Sequence, residues 1–321
     1  MNAAVVHAFD APPRYESFSE PVAGSEEVIV SVSAAGLHPI VKALVSGAHY
    51  SSTGELPVIP GIDGVGRLND GRRVYFGASR SPYGSFAERS VARPAMCLPV
   101  PETLDDVTVA AIMNPGMSSW AAFKLRAQLA SGENVLILGA TGVAGRLAVQ
   151  VAKRLGAKRV VAAGRNPASL KELERLGADA VISLNVGPQA LVSALRQEWA
   201  KDKIDVVLDY LWGSPAESVL EAILQKGLQH TASRIRYVEV GSSAGATISL
   251  PAATLRSSGL ELMGSGLGSA SLERVLHSLG DFLAEAAREA FQVKTRTADL
   301  REVEGLWRGA EEGARLVFRP S

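Results

Sequence analysis

The stretch Asn134-Val-Leu-Ile-Leu138-Gly-Ala-Thr-Gly142-Val-Ala-Gly145 decides how this chain of 321 residues folds. Its first five residues form a short, mostly apolar run without polar alternation, the pattern of a strand covered on both faces. Glycines follow at positions 139, 142 and 145. Beyond them Leu147, Ala148, Val151, Ala152 and Leu155 recur at helical spacing. A strand, a glycine turn and a helix in that order make an anion site. The first turn of the helix leaves N–H groups without intrahelical partners and carries a partial positive charge. Glycines let the backbone approach a pyrophosphate and let the helix pack close to the strand. Gly139, Thr141, Gly142, Val143 and Ala144 are therefore candidates for holding a dinucleotide, Thr141 with a hydroxyl to add. The competing reading is a tight strand–helix turn with no ligand.

Working outward, Arg159-Val-Val-Ala-Ala163 reads as a second strand, Ser169 to Leu176 as a charged amphipathic helix, and Ala180-Val-Ile182 as a third strand. Ile204 to Leu208 and Ile235 to Val240 add a fourth and a fifth. Strands alternating with helices predict an α/β parallel sheet with right-handed crossovers, a Rossmann domain. The end of the second strand selects the cofactor. Enzymes using NADH place Asp or Glu about 20 residues past the loop to bind ribose hydroxyls. Here that place holds Gly164-Arg165-Asn166, with no carboxylate to repel a 2′-phosphate and a guanidinium to pair with one. NADPH is the expected cofactor, with Gly164, Arg165 and Asn166 among its contacts. Residues just past later strands face the same crevice. These are Asp209-Tyr210 and Gly241-Ser242-Ser243, with Gly241 and Ser242 as binding candidates. Gly264-Ser265-Gly266 can hold the nicotinamide amide through backbone groups, which adds Gly264 and Ser265.

Met1 to about Leu104 reads differently. Its segments are short and punctuated by Gly and Pro, and Val28 to Ser33 is a strand, which together predict an irregular β domain. Asn114-Pro115 opens a helix-like stretch in which Ser118 is either a cofactor contact or an N-cap. The tail reads as a helix from Leu272 to Glu289, a strand-like Phe291 to Thr295, an acidic helix from Arg301 to Glu312 and a final Arg315-Leu-Val-Phe318. It is expected to return to the first domain.

Bulk properties exclude several classes. Lys plus Arg and Asp plus Glu are both 33, so nothing in the net charge seeks nucleic acid or an anionic membrane. A single cysteine, Cys97, excludes an intrachain disulfide framework and a multi-cysteine zinc site. The expectation is a cytoplasmic protein, because neither a secretory leader nor an apolar run of about 20 residues is visible.

Several pieces then fall in order. Ala35-Gly-Leu-His38-Pro39, Ser46-Gly47 through Tyr50, Leu56-Pro57, Pro60-Gly-Ile-Asp63-Gly-Val-Gly66, Tyr83-Gly-Ser-Phe-Ala-Glu88, Gly116-Met-Ser118-Ser-Trp120 and Gly139 to Gly145 follow one another along the chain. Together they resemble the quinone oxidoreductase (zeta-crystallin-like) branch of the medium-chain dehydrogenase/reductases. Atypical short-chain reductases share the Gly-Ala-Thr-Gly-x-x-Gly turn. They carry it near the N-terminus, often with a Tyr-x-x-x-Lys pair that none of the 6 tyrosines here forms. The resemblance implies a GroES-like β-rich catalytic domain (1–114 and 267–321), a Rossmann NADP-binding domain (115–266), an active cleft between them and a homodimer joined edge to edge. Leu260-Glu-Leu-Met-Gly264 is the candidate edge.

Zinc alcohol dehydrogenases of the same fold resemble this chain less. They use a Cys at the place of His38 and a Gly-His-Glu segment at Gly61-Ile62-Asp63, where Ile62 offers no ligand. No metal is expected. The resemblance implies a zinc-independent, NADPH-dependent reductase of a small electrophile, a quinone or related conjugated carbonyl. Its reduced oxygen then needs a donor or a proton. Tyr50, at the family's Tyr position, and His38, where the family has Asn, are the catalytic candidates. Val41 and Val45 replace the family's Asp and Arg, which suggests an apolar pocket mouth. An enoyl or alkenal reductase on the same scaffold is the alternative within the class. An NADPH-binding sensor or crystallin-like protein with little turnover is the alternative outside it.

Overall fold

A computed structural model describes the chain except residues 10, 48, 50, 51, 53, 225–232, 267, 310–312 and 321. Tyr50 therefore lies outside the described residues. The chain divides into two compact units, Met1–Pro115 with Leu279–Ser321, and Gly116–Ser278.

The first unit is β-rich. Strand β1 (Asn2–Val5) pairs antiparallel with β2 (Arg14–Ser17). Strand β3 (Val28–Gly36) is the longest. It extends three residues beyond the predicted strand, because Ala34, Ala35 and Gly36 are also buried. Helix α1 (Pro39–Val45) follows, with Pro39 supplying its first residue. Strands β4 (Asp63–Leu68), β5 (Arg73–Gly77), β6 (Arg89–Ala92) and β7 (Cys97–Pro99) complete the N-terminal part. Both β4 and β6 pair antiparallel with β3. Helix α2 (Asp106–Ala121) begins earlier than the sequence suggested. The Asp105 carboxylate accepts from Thr108 N at 2.8 Å and caps it, and Pro115 lies inside it. Ser118 is therefore an interior helical residue, not an N-cap.

The second unit carries β8 (Asn134–Leu138), α3 (Val143–Arg154), β9 (Arg159–Gly164), α4 (Pro167–Arg175), β10 (Ala180–Ser183), α5 (Pro188–Lys201), β11 (Val206–Asp209), α6 (Gly213–Ile223), β12 (Arg234–Glu239), α7 (Ala252–Arg256) and β13 (Gly259–Gly264). The six strands form one parallel sheet in the order β10-β9-β8-β11-β12-β13. Every residue of β8 is buried, as its apolar run implied. The order reverses between β8 and β11, and ligands bind outside the carboxyl ends of strands at such a switch. Asp205 fixes the register there: Asn134 N donates to its carboxylate at 2.9 Å, while Asp205 N donates to Asn134 O at 2.9 Å.

The tail completes the first unit. After α8 (Leu272–Arg288), β14 (Lys294–Asp299) pairs parallel with β15 (Ala314–Arg319), and β15 pairs antiparallel with β3. The sequence expected a strand from Phe291. That ring is instead buried and stacked on Phe282 of α8, with centroids 5.0 Å apart, and the strand starts at Lys294. The expected acidic helix reduces to a 3-10 turn (Leu300–Glu302) and the four-residue α9 (Val303–Leu306). Residues 310–312 of that stretch lie outside the described residues.

Phe318 of β15 sits in the core of this unit, edge-on to Phe86 with centroids 5.4 Å apart. Phe318→Ala removes a fully buried ring and opens a cavity beside Phe86. The expected cost is about 3–5 kcal/mol, measured as a lower urea midpoint; a loss under about 1 kcal/mol contradicts this role for the tail.

Candidate functional site

The glycine loop is shaped by three different requirements. Gly139 has φ +80°, a conformation L side chains avoid. Gly145 permits close packing: a Cβ there would lie 2.4 Å from Gly139 O and 2.5 Å from Ala140 Cα. Gly142, the N-cap of α3, faces open space, since a Cβ there would meet only Gly139 O at 3.7 Å. No side chain caps the 12-residue α3. Its first N–H groups, those of Val143 and Ala144 included, thus lie beside an uncovered cradle. This arrangement fits a pyrophosphate. Thr141 is buried and packs inward, its Cγ2 at 2.3 Å from the place a Cβ on Gly164 would occupy.

On one side of β8 lies the end of β9. Gly164 is buried and Arg165 exposed. Asn166 caps α4, its side-chain oxygen accepting from Ala168 N at 2.9 Å and Ser169 N at 3.2 Å. That oxygen is already engaged with the helix.

On the other side lies the end of β11. Asp209 is fully buried and accepts from Tyr237 OH at 2.6 Å, Leu211 N at 2.7 Å and Trp212 N at 3.1 Å. Burial pushes its carboxyl above the usual range, and those three donors pull it back. They also hold the turn in which Trp212 adopts φ +56°. Tyr210 stands inside this turn. Its phenol is hydrogen-bonded to the Ser118 hydroxyl at 3.2 Å, and its carbonyl accepts from Ser243 Oγ at 2.9 Å. A Cβ on Gly139 would come within 3.3 Å of Tyr210 Cβ, and one on Gly241 within 3.2 Å of Tyr210 O. Three sequence-predicted positions, Ser118, Gly139 and Gly241, are thus gathered around one residue. The sequence marked Tyr210 only as following a strand. Its pairing with Ser118, 92 positions away, left no signal.

Ser242 is exposed beside this cluster. At the end of β13, Ser265 N donates to Glu239 O at 2.8 Å, and Gly264 O accepts from Arg126 Nε at 2.8 Å. Arg126 belongs to a π-helical stretch (Ala122–Ala127) that continues α2. Such stretches recur at functional sites, and nothing in the sequence pointed to this one.

In the first unit, His38 is 1% exposed, with Nε2 3.3 Å from Asp63 Oδ1. Tyr75 OH donates to Asp63 Oδ2 at 2.8 Å, and Arg315 Nη1 donates to Leu37 O at 2.6 Å. Burial holds the imidazole below its ordinary value, with Asp63 opposing and Arg315 adding to the effect. Burial also brings Arg315 down to about 10. Ile62 adds no donor. Among the described residues no group of three His, Cys, Asp or Glu is placed to hold a metal. Val41 and Val45 are buried in the core of this unit and form no pocket mouth, because they occupy the inner face of α1. Cys97 is half-buried, and burial pushes its thiol up.

Comparison with known proteins agrees with this architecture. Residues 144–284 match the family described as zinc-binding dehydrogenase, a region that leaves out His38, Ile62 and Asp63. The whole chain is 28% identical to a probable NADPH-dependent quinone reductase of Emericella nidulans, covering 100% of both. It is 32% identical over 177 residues to the quinone oxidoreductase of Rattus norvegicus, covering 51% of this chain and 53% of that relative. The matched region thus spans about half of the rat protein. The solved quinone oxidoreductase of Thermus thermophilus, also described in complex with NADPH, is 28% identical with a TM-score of 0.81 over 99% of this chain and 100% of that one. The chain is thus similar to medium-chain dehydrogenase/reductases, and among them to the quinone oxidoreductases.

The buried imidazole makes stability depend on pH. His38 has a lowered folded-state value, so between that value and the ordinary one near 6.5 the unfolded chain binds a proton that the folded chain does not. Its contribution is present above about pH 6.5 and is lost as pH falls through the folded value. Urea melts at pH 7.5 and 5.5 should show a larger acid-side loss for the native chain than for His38→Asn. Identical losses mean that His38 charges freely in the folded protein.

Proposed function

We propose that this chain is an NADPH-dependent, zinc-independent oxidoreductase that delivers hydride to a quinone or related conjugated carbonyl. The observation that carries the cofactor choice is the end of β9, where the exposed Arg165 follows Gly164, itself packed against Thr141 of the glycine loop, and no carboxylate follows Gly164. A guanidinium there favours a 2′-phosphate, and nothing of like charge opposes it. Gly139, Gly142, Val143 and Ala144 hold the pyrophosphate, Gly241, Ser242, Gly264 and Ser265 line the nicotinamide half, and bound NADPH supplies the hydride. The names of the Emericella and Thermus relatives point to the same cofactor and acceptor class.

Zinc independence is supported by the donor set. His38 Nε2 lies 3.3 Å from Asp63 Oδ1, Tyr75 takes the second carboxylate oxygen, and Ile62 supplies nothing. Tyr50 and His38 remain the candidates for steadying or protonating the reduced oxygen. Among the described residues no helix is long and apolar enough to cross a membrane, in keeping with a cytoplasmic enzyme acting on a small electrophile. Strand β13 is an edge of the six-stranded sheet, and a second copy pairing there forms the homodimer.

Steady-state oxidation of NADPH and NADH against quinones, alkenals and enoyl thioesters tests this reading. NADPH should be preferred, quinones should turn over, and stoichiometric zinc should be absent from the active protein. Arg165→Ala should weaken NADPH by roughly tenfold and leave NADH unchanged, the effect of one charge-assisted contact. Preference for NADH overturns the cofactor choice. Turnover of alkenals or enoyl thioesters alone reassigns the acceptor, and tight NADPH binding with no oxidation makes the chain a binding protein.

A further inference from the structure

The parallel sheet fixes which part of a dinucleotide lies where. With Arg165 after β9 holding the adenosine phosphate and the loop after β8 holding the pyrophosphate, the remaining half must continue over β11. The first residue past β11 is Tyr210, which lies with Leu211 beside Gly139 and is hydrogen-bonded to Ser118. We propose that Tyr210 and Ser118 form a paired-hydroxyl clamp on the ribose diol of the nicotinamide half, in which Tyr210 sets the direction of the Ser118 hydroxyl. This rests on the dinucleotide reading above and adds to it a positioning residue and the group it serves.

The chemistry of the pair suits a vicinal diol. Each of the two protein hydroxyls can donate once and accept, as each ribose hydroxyl can, so the four groups close into one ring of hydrogen bonds. A lone serine on a helix has several rotamers to choose from. A serine bonded to a fixed phenol has fewer, so less entropy is lost when the ribose arrives. Tyr210 is fixed by more than its own packing. Ser243 holds its carbonyl, Gly241 N donates to Asp209 O at 3.2 Å, and the Asp209 carboxylate holds the two N–H groups that follow. The Trp212 backbone at positive φ persists because this turn is over-determined, a feature that clusters at ligand-binding turns. Burial pushes the phenol up to about 12, so the pair keeps both protons through the range in which reductases work.

The test uses two probes on the full-length chain. NADPH carries the nicotinamide ribose, and 2′,5′-ADP carries only the adenosine end. Titration calorimetry should show that Tyr210→Phe and Ser118→Ala each weaken NADPH roughly two- to tenfold, the loss of one hydrogen bond. Both should leave 2′,5′-ADP unchanged. The double variant should lose less than the sum of the two single losses, and Ser118→Thr should keep native affinity, because it keeps the hydroxyl. Unchanged NADPH affinity in both variants overturns the clamp, as does an equal loss on both probes or a strictly additive double variant. Thermal melts establish that each variant is folded, and should Tyr210→Phe fail to fold, Ser118→Ala against Ser118→Thr decides. Wild-type protein that binds neither probe overturns the dinucleotide reading and the clamp together. Wild-type binding with insensitive variants overturns the clamp alone.

Discussion

The second unit depends on one close approach: the first turn of α3 against the carbonyl of Gly139. No Cβ can exist at position 145 without displacing backbone, since the nearest atom would be that carbonyl at 2.4 Å. With glycine there, the helix seats directly on the end of β8, and its unpaired N–H groups reach the sheet's carboxyl edge. Everything else at the candidate site is measured from that edge. Gly164 gives Thr141 room to pack inward, and Leu211 and Tyr210 fill the space beside Gly139.

Asp209 plays the corresponding part on the far side of the switch point. A fully buried carboxylate is costly unless its lone pairs are used, and here Tyr237, Leu211 and Trp212 use them. The desolvation it suffers is offset by a turn that could not otherwise hold Trp212 at positive φ. Asp209 thus acts on the site through geometry: it decides where Tyr210 points.

What the sequence made legible was periodic or local. The β8 run, the glycine spacing and the helical apolar stripe each follow a rule about neighbours in the chain, and the matching strands appear within a residue or two of their expected places. The start of α2 was obscured because Pro115 imitates a helix beginning, whereas the cap is Asp105, ten positions earlier. Phe291 imitates a strand residue because it is apolar beside Val293, yet its ring is spent on Phe282. Site features built from distant partners were out of reach. Arg126 on Gly264 and Tyr210 on Ser118 join segments whose separation carries no periodic signature.

The first unit shows the same limit in its charges. His38, Asp63, Tyr75 and Arg315 come from α1's cap, β4, β5 and β15, so their meeting requires the tail to return and pair with β3. Read singly, His38 is a titratable group near neutrality and invites a proton-transfer role. Read together, the four constrain it. Asp63 gives one oxygen to the Tyr75 phenol and holds the other 3.3 Å from the imidazole, Arg315 spends a donor on Leu37 O, and burial opposes added charge on His38. Burial thus disfavours the charged form of an imidazole so placed.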